Sequence, residues 1–323
     1  MASPASARAV IRFVQNQTMD PGESAHRDRP YGLRPEGFRL PDEARLGPVR
    51  LLVGDIGRSL DYYERLIGLR ALARGDRQVV LAPIDDDRAL VILETAPGVQ
   101  PARRGAYGLF HFAILVPDRA TLGRFAAHAL RLHAPMGSAD HLVSEALYLH
   151  DPDGLGIEIY ADRPRETWQH RDRELSMATD PLDLRDLVAA GGHDAWTGMP
   201  RGTVMGHVHL HVGDLDAADA FYRGGLGFDL MVWSYPGARF FAAGGYHHHL
   251  GTNTWADGPS PEPDRARLLE WTLVLPDAAG VAAAVASLRQ AGAEVDAAGS
   301  STAARDRWGT RVRIAAGPQG VAG

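Results

Sequence analysis

The stretch Gly206-His207-Val208-His209-Leu210-His211-Val212-Gly213-Asp214-Leu215 decides the reading of this chain. It is taken with a second stretch, Gly244-Gly245-Tyr246-His247-His248-His249-Leu250-Gly251-Thr252-Asn253-Thr254-Trp255. Alternate residues of an extended strand face the same side. His207, His209 and His211 are therefore expected on one face. His247 and His249 are expected together on the neighbouring strand, with His248 on its other side. Inward imidazoles on two adjacent strands are the start of a divalent metal site.

Working outward, the stretch belongs to a repeat. A shift of 159 residues lays Gly47-Pro48-Val49-Arg50-Leu51-Leu52-Val53-Gly54-Asp55-Ile56 over Gly206 to Leu215. The same shift lays Ile67-Gly68-Leu69 over Leu226-Gly227-Phe228, and His111 to Asp118 over Glu270 to Asp277, without a gap. Each half also repeats internally, through strands ending Val53-Gly54-Asp55 and Val116-Pro117-Asp118, and Val212-Gly213-Asp214 and Leu275-Pro276-Asp277. The chain thus holds four copies of one strand–helix–strands unit.

The units are expected at about 46–95, 109–161, 203–254 and 266–314. In the first, Val49 to Val53 reads as a strand and Asp55 opens a helix closed by Gly68. A hairpin follows, Gln78 to Leu81 with Ala89 to Glu94. In the second, Asp151-Pro152-Asp153-Gly154 reads as a turn before a closing strand, and Gly137 to Ser144 as a loop. In the third, Tyr246 to Thr252 reads as a strand. Pairing the units in chain order divides the protein into an arm (1–44), an N-terminal domain (45–162), a linker (163–202) and a C-terminal domain (203–323). A short strand at Ala9 to Val14 is an option within the arm.

Composition narrows the chemistry. The 323 residues carry a net charge of −6, which argues against a nucleic-acid surface, and contain no cysteine. A metal here must use imidazole, carboxylate and water, which points to Fe(II), Mn, Zn, Ni or Co. No apolar run has the length of a membrane span, and the N-terminus lacks the order of a signal peptide. The expectation is a cytoplasmic protein with no membrane or nucleic-acid partner, assembled as a homo-oligomer.

Four β-α-β-β-β units resemble the vicinal oxygen chelate superfamily, which includes glyoxalase I, bleomycin-resistance proteins and extradiol dioxygenases. The resemblance is carried by Asp151-Pro152-Asp153-Gly154-Leu155-Gly156-Ile157-Glu158-Ile159-Tyr160, by Phe221-Tyr222 with Gly225-Leu226-Gly227-Phe228, and by the strand-Asp-helix starts. The two histidine stretches look like the two-domain catechol-2,3-dioxygenase-like subgroup. The resemblance implies an α+β fold with four units paired into two domains. It also implies metal ligands on the first and closing strands of each unit.

Carried over position by position, those ligands are His207, His249 and Glu270, with His248 as an alternative to His249. Arg313 falls at the usual closing-strand carboxylate position. The N-terminal equivalents, Pro48, Leu90, His111 and Glu158, are read as a structural half. His209, His248 and Tyr246 are the candidates for acid–base or hydrogen-bonding help, and Asn253 and Trp255 for pocket walls. The implied activity is ring cleavage of a small catechol-type aromatic with Fe(II) and O2. A glyoxalase-like metal isomerase and a metal-free binding protein are the rival readings.

Overall fold

A computed structural model describes residues 31–298 and 301–317 of the chain. The strand considered at Ala9 to Val14 lies outside the described residues. Within them, two eight-stranded curled sheets carry the helices on one face of each.

Each unit begins the same way. An apolar strand runs into an aspartate whose carboxylate caps the following helix. Asp55, Asp118, Asp214 and Asp277 accept the backbone N–H of Arg58, Thr121, Ala217 and Gly280, three residues on. A side-chain oxygen here satisfies one of the N–H groups left free at the helix start, contributing about 1 kcal/mol each. The helices are α1 (Ile56–Tyr62), α2 (Arg119–Arg131), α4 (Leu215–Asp219) and α5 (Ala278–Gln290). α1 and α4 continue as π-helical turns, Tyr63–Ile67 and Ala220–Gly225. A further helix, α3 (Leu184–Ala190), and a two-stranded ladder, β9 (His170–Arg171) with β10 (Glu174–Leu175), lie in the connector between the halves.

The strands do not pair in chain order. The first sheet joins units two and three. Its order is β12 (Asp229–Val232), β13 (Ala238–Ala242), β14 (Leu250–Asn253), β11 (Val204–His211), β5 (Gly108–Leu115), β8 (Gly156–Asp162), β7 (Ser144–His150) and β6 (Gly137–Asp140). The second joins units four and one: β16 (Val295–Ala298), β17 (Ser301–Arg305), β18 (Arg311–Ala316), β15 (Arg267–Leu275), β1 (Arg45–Val53), β4 (Val91–Thr95), β3 (Gln78–Ala82) and β2 (Arg70–Arg74). The expected pairing of one with two and three with four is therefore replaced. The cause lies in the first strands, which find each other across the chain midpoint: β5 lies antiparallel to β11, and β15 antiparallel to β1. The two seams keep one register. His209 faces His111, and Arg50 faces Glu270, the positions 159 residues apart in each case.

Two local expectations also change. Gly137 to Asp140 is strand β6 rather than loop. The run Tyr246 to His249 precedes β14 rather than belonging to it. Gly244 and Gly245 take positive φ, +60° and +65°, and turn the chain out of the strand, so period-two alternation does not govern the three histidines.

Alternation holds in the long strands. Val208, Leu210 and Val212, Phe112 and Ile114, and Ile157 and Ile159 enter the main apolar core. The residues between them, His207, His209, His111 and Glu158, turn to the concave side, where they line a cavity. Two tyrosine–aspartate bonds tie successive units together. Tyr222 donates to Asp306 at 2.8 Å and Tyr63 to Asp151 at 3.3 Å, all four side chains being largely or fully buried. Each aspartate also accepts two N–H groups of its own turn, Asp153 and Leu155 in one case and Trp308 and Thr310 in the other.

Tyr222→Phe removes a donor from a buried carboxylate and is expected to cost about 1.5–3 kcal/mol in denaturant unfolding. Tyr63→Phe, at the longer bond, is expected to cost less. Burial lifts the Asp151 carboxyl to about 6, against the pull of the Leu155 N–H. The native chain then holds a proton that the unfolded chain releases near pH ~3.9. Stability therefore falls as pH rises between about 4 and 6, by at most ~1.4 kcal/mol per pH unit. Asp151→Asn is expected to abolish that slope, read from unfolding curves across the window.

Candidate metal centre

Three adjacent strands at the centre of the first sheet aim their side chains at one point. His207 comes from β11, His111 from β5 across the antiparallel seam, and Glu158 from β8, parallel to β5. Their ligand atoms lie within 4.8 Å of one another, and all three residues are buried. Glu158 Oε2 is 3.0 Å from His111 Nε2 and 3.1 Å from His207 Nε2. Donors bound at about 2.0–2.2 Å to one ion, roughly at right angles, lie about 3 Å apart, so the spacing fits a divalent cation.

The hydrogen bonding supports that fit. His207 Nε2 is bonded to Glu158, but His111 Nε2 is buried without a hydrogen-bond partner despite its 3.0 Å approach. A buried nitrogen left unpaired is costly, and a cation in the gap would satisfy it. The electrostatics point the same way. Burial drives the Glu158 carboxyl upward, but the neighbouring His207 and His111 reverse this and hold it well below the usual carboxylate range. Burial brings His207 down to about 4, only partly opposed by Glu158. An ionised carboxylate beside a neutral imidazole is the form a metal requires.

The three residues line a cavity of about 370 Å³. Its walls include Phe110, Phe240, Tyr235 and Trp255, and its ceiling includes Met177 to Thr179 of the connector. Trp255 and Phe110 are 50% and 36% exposed, which places them at the mouth. Among the lining residues Glu158 is the only formal carboxylate, and none is an arginine.

Tyr148 and His141 form one flank. His141 Nδ1 donates to the Ala178 carbonyl at 2.6 Å, since a carbonyl can only accept. In the neutral ring Nε2 is then the acceptor, and the Tyr148 hydroxyl donates to it at 2.5 Å. Burial, with the Glu158 charge beside it, pushes the Tyr148 phenol well above its ordinary value, so it stays protonated.

The sequence-derived ligand set is not brought together. Of His207, His249 and Glu270, only His207 stands in the cluster. His249 does not line the cavity; its Nδ1 accepts the Ala243 N–H at 3.2 Å, and Phe228 stacks on its ring. Glu270 lies on β15 in the other sheet, where Arg311 donates to it at 2.9 Å and Arg313 approaches to 3.6 Å. The reason is the seam: unit three meets unit two there, not unit four. His111 and Glu158 stand at the ligand positions of unit two in the sequence, so the missing signal was the partner of unit three.

The three candidate helpers separate. His248 lines the cavity beside His207, their ring centroids 4.1 Å apart. His209 also lines it, but its Nε2 receives the Asn253 side-chain amide at 3.0 Å. Gly251 makes room for that ring, since a Cβ there would lie 2.9 Å from it. Tyr246 sits behind the wall, bonded to Tyr160 at 2.8 Å and to Asp162 at 3.1 Å. Sequence reasoning did not single out Tyr148 or His141. Their signal was a tyrosine alternating inward on β7 and a histidine in the preceding turn.

The chain resembles known proteins over both of its halves. A family model described as the Glyoxalase/Bleomycin resistance protein/Dioxygenase superfamily matches residues 45–159 and 204–322. The chain is 47% identical over 242 residues to a catechol-2,3-dioxygenase of Bacillus subtilis, covering 73% of this chain and 84% of that one. Among solved structures, a putative dioxygenase from the same organism superposes with a TM-score of 0.63 at 12% identity, covering 88% of this chain and 87% of the other. Glyoxalase I from Zea mays gives 0.52 at 18% identity, over 84% and 92%. With both halves matched by its model, the chain belongs to the Glyoxalase/Bleomycin resistance protein/Dioxygenase superfamily.

Proposed function

We propose that the protein is an extradiol ring-cleaving dioxygenase acting on a catechol-type aromatic with Fe(II) and O2, its metal held by His111, His207 and Glu158. The observation that carries the reading is the converging pair of imidazoles and one carboxylate on the concave face of units two and three. Two histidines and a carboxylate with open positions are the donor set of non-haem Fe(II) oxygenases. The 47% identity to a catechol-2,3-dioxygenase supports it.

Fe(II) held there by His111, His207 and Glu158 would supply Lewis-acid binding of the substrate oxygens and electron transfer to O2. The protein supplies the rest. Phe110, Phe240, Tyr235 and Trp255 form an aromatic enclosure for one ring. The walls carry no arginine to pair with a carboxylate substituent, which suits a neutral catechol. Burial, reinforced by neighbouring histidines, holds His248 well below the ordinary imidazole value, so it stays neutral. A neutral imidazole in the wall can take a substrate hydroxyl proton. Tyr148, its hydroxyl hydrogen-bonded to His141, presents its oxygen to the cavity and can accept a hydrogen bond from the other hydroxyl. His209 is occupied by Asn253 and contributes shape.

Protein purified without oxygen is expected to contain about one iron per chain, to consume O2 with catechol and to form a yellow ring-cleavage product. His111→Ala, His207→Ala and Glu158→Gln are each expected to lose the metal, by more than the roughly 10–100-fold that removing an outer partner costs. Glu270→Gln and His249→Ala are expected to keep it. The Glu270 variant should instead lose about 1–3 kcal/mol of stability from its arginine pairs. Stoichiometric zinc or nickel with no oxygen uptake would move the reading to isomerase chemistry.

A further inference from the structure

Behind the cavity wall a second histidine connects His248 to a carboxylate. His247 is fully buried, with its Nε2 2.9 Å from Asp162 Oδ1 and its Nδ1 2.7 Å from His248 Nδ1. Asp162 ends β8, four residues beyond Glu158, and its side chain is 27% exposed. Tyr246 also donates to the same Oδ1 at 3.1 Å, and Tyr160 in turn meets Tyr246. The carboxylate is therefore held from two sides.

For a neutral His247–His248 pair, donor and acceptor counting assigns each proton. An ionised carboxylate only accepts, so His247 Nε2 carries the hydrogen. A neutral imidazole has one donor and one acceptor nitrogen, so His247 Nδ1 accepts. Its partner, His248 Nδ1, must then donate. What remains is His248 Nε2, bearing a lone pair on a side chain that lines the cavity.

We propose that Asp162 and His247 form a positioning dyad that fixes His248 in its Nδ1–H tautomer and so presents an unprotonated Nε2 to the substrate. Neither residue touches the cavity; both act through His248. The orientation of a ring nitrogen is set by the hydrogen bond its other nitrogen makes. Here that bond is itself set one residue further back. The inference rests on the ring-cleavage reading only for its consequence in catalysis; the tautomer itself stands on the hydrogen bonds.

The test is a two-bond proton–nitrogen correlation spectrum of full-length protein labelled with 15N-histidine, with His248→Gln used to assign the resonances. The expected result is a pyridine-like Nε2 and a protonated Nδ1 at His248. In Asp162→Asn the amide can turn its NH2 to His247, and the whole chain then reverses, leaving His248 with an Nε2–H. That variant is expected to lose kcat by about a hundredfold, the lower end of general acid–base contributions, with KM within about threefold. Asp162→Glu, which retains an acceptor, should recover part of the loss. An Nε2–H tautomer or an imidazolium at His248 in the wild-type spectrum overturns the dyad, whatever the activity. The expected tautomers in a protein that cleaves no catechol would leave the dyad standing and remove the ring-cleavage reading.

Discussion

The antiparallel seam between β5 and β11 is the constraint on which the site depends. It sets His111 of one half beside His207 of the other, and the parallel neighbour β8 adds Glu158. Neither half carries the cluster alone. Backbone hydrogen bonding across the chain midpoint therefore does two things together: it closes an eight-stranded sheet, and it gathers three donors from strands far apart in sequence. Period-two alternation then sends Phe112, Val208 and Ile157 to the core and the polar residues to the cavity.

The twin seam, β1 with β15, shows the same framework with a different set of side chains. The register is conserved, so the positions of His207, His111 and Glu158 become Pro48, Glu270 and Arg313. There the carboxylate meets two guanidinium groups, Arg311 and Arg313. A fixed cation of the chain neutralises the buried acid. In the first sheet His111 Nε2 is left buried and unpaired. One duplication thus holds a carboxylate neutralised by arginines of the chain and a carboxylate flanked by two buried imidazoles. A buried polar group tolerated without a partner is a frequent mark of function.

Much of this was legible beforehand. The strand-Asp-helix starts are visible as text, and all four aspartates cap their helices. The 159-residue shift holds to the residue in both seams. His207 and His248 were visible in the histidine stretches, and His111 and Glu158 stood at the equivalent positions of unit two. What the sequence could not say was which unit faces which. Alternation is a property of one strand, whereas strand pairing is a contest among four similar edges, decided by contacts remote in sequence. The same limit misplaced Glu270. Another kind of miss concerns His249: two glycines with positive φ ended the strand before the histidine run, so counting by twos failed there. Tyr148 and His141 escaped notice because their partnership spans a turn and the connector that caps the cavity.

The most direct measurement is anomalous X-ray scattering at the iron edge from crystals grown with Fe(II) and kept free of oxygen. The account predicts one strong peak per chain, within about 2.0–2.3 Å of His111 Nε2, His207 Nε2 and a Glu158 oxygen. A peak beside Glu270 or His249, or a cluster that stays without iron in iron-loaded crystals, would contradict it.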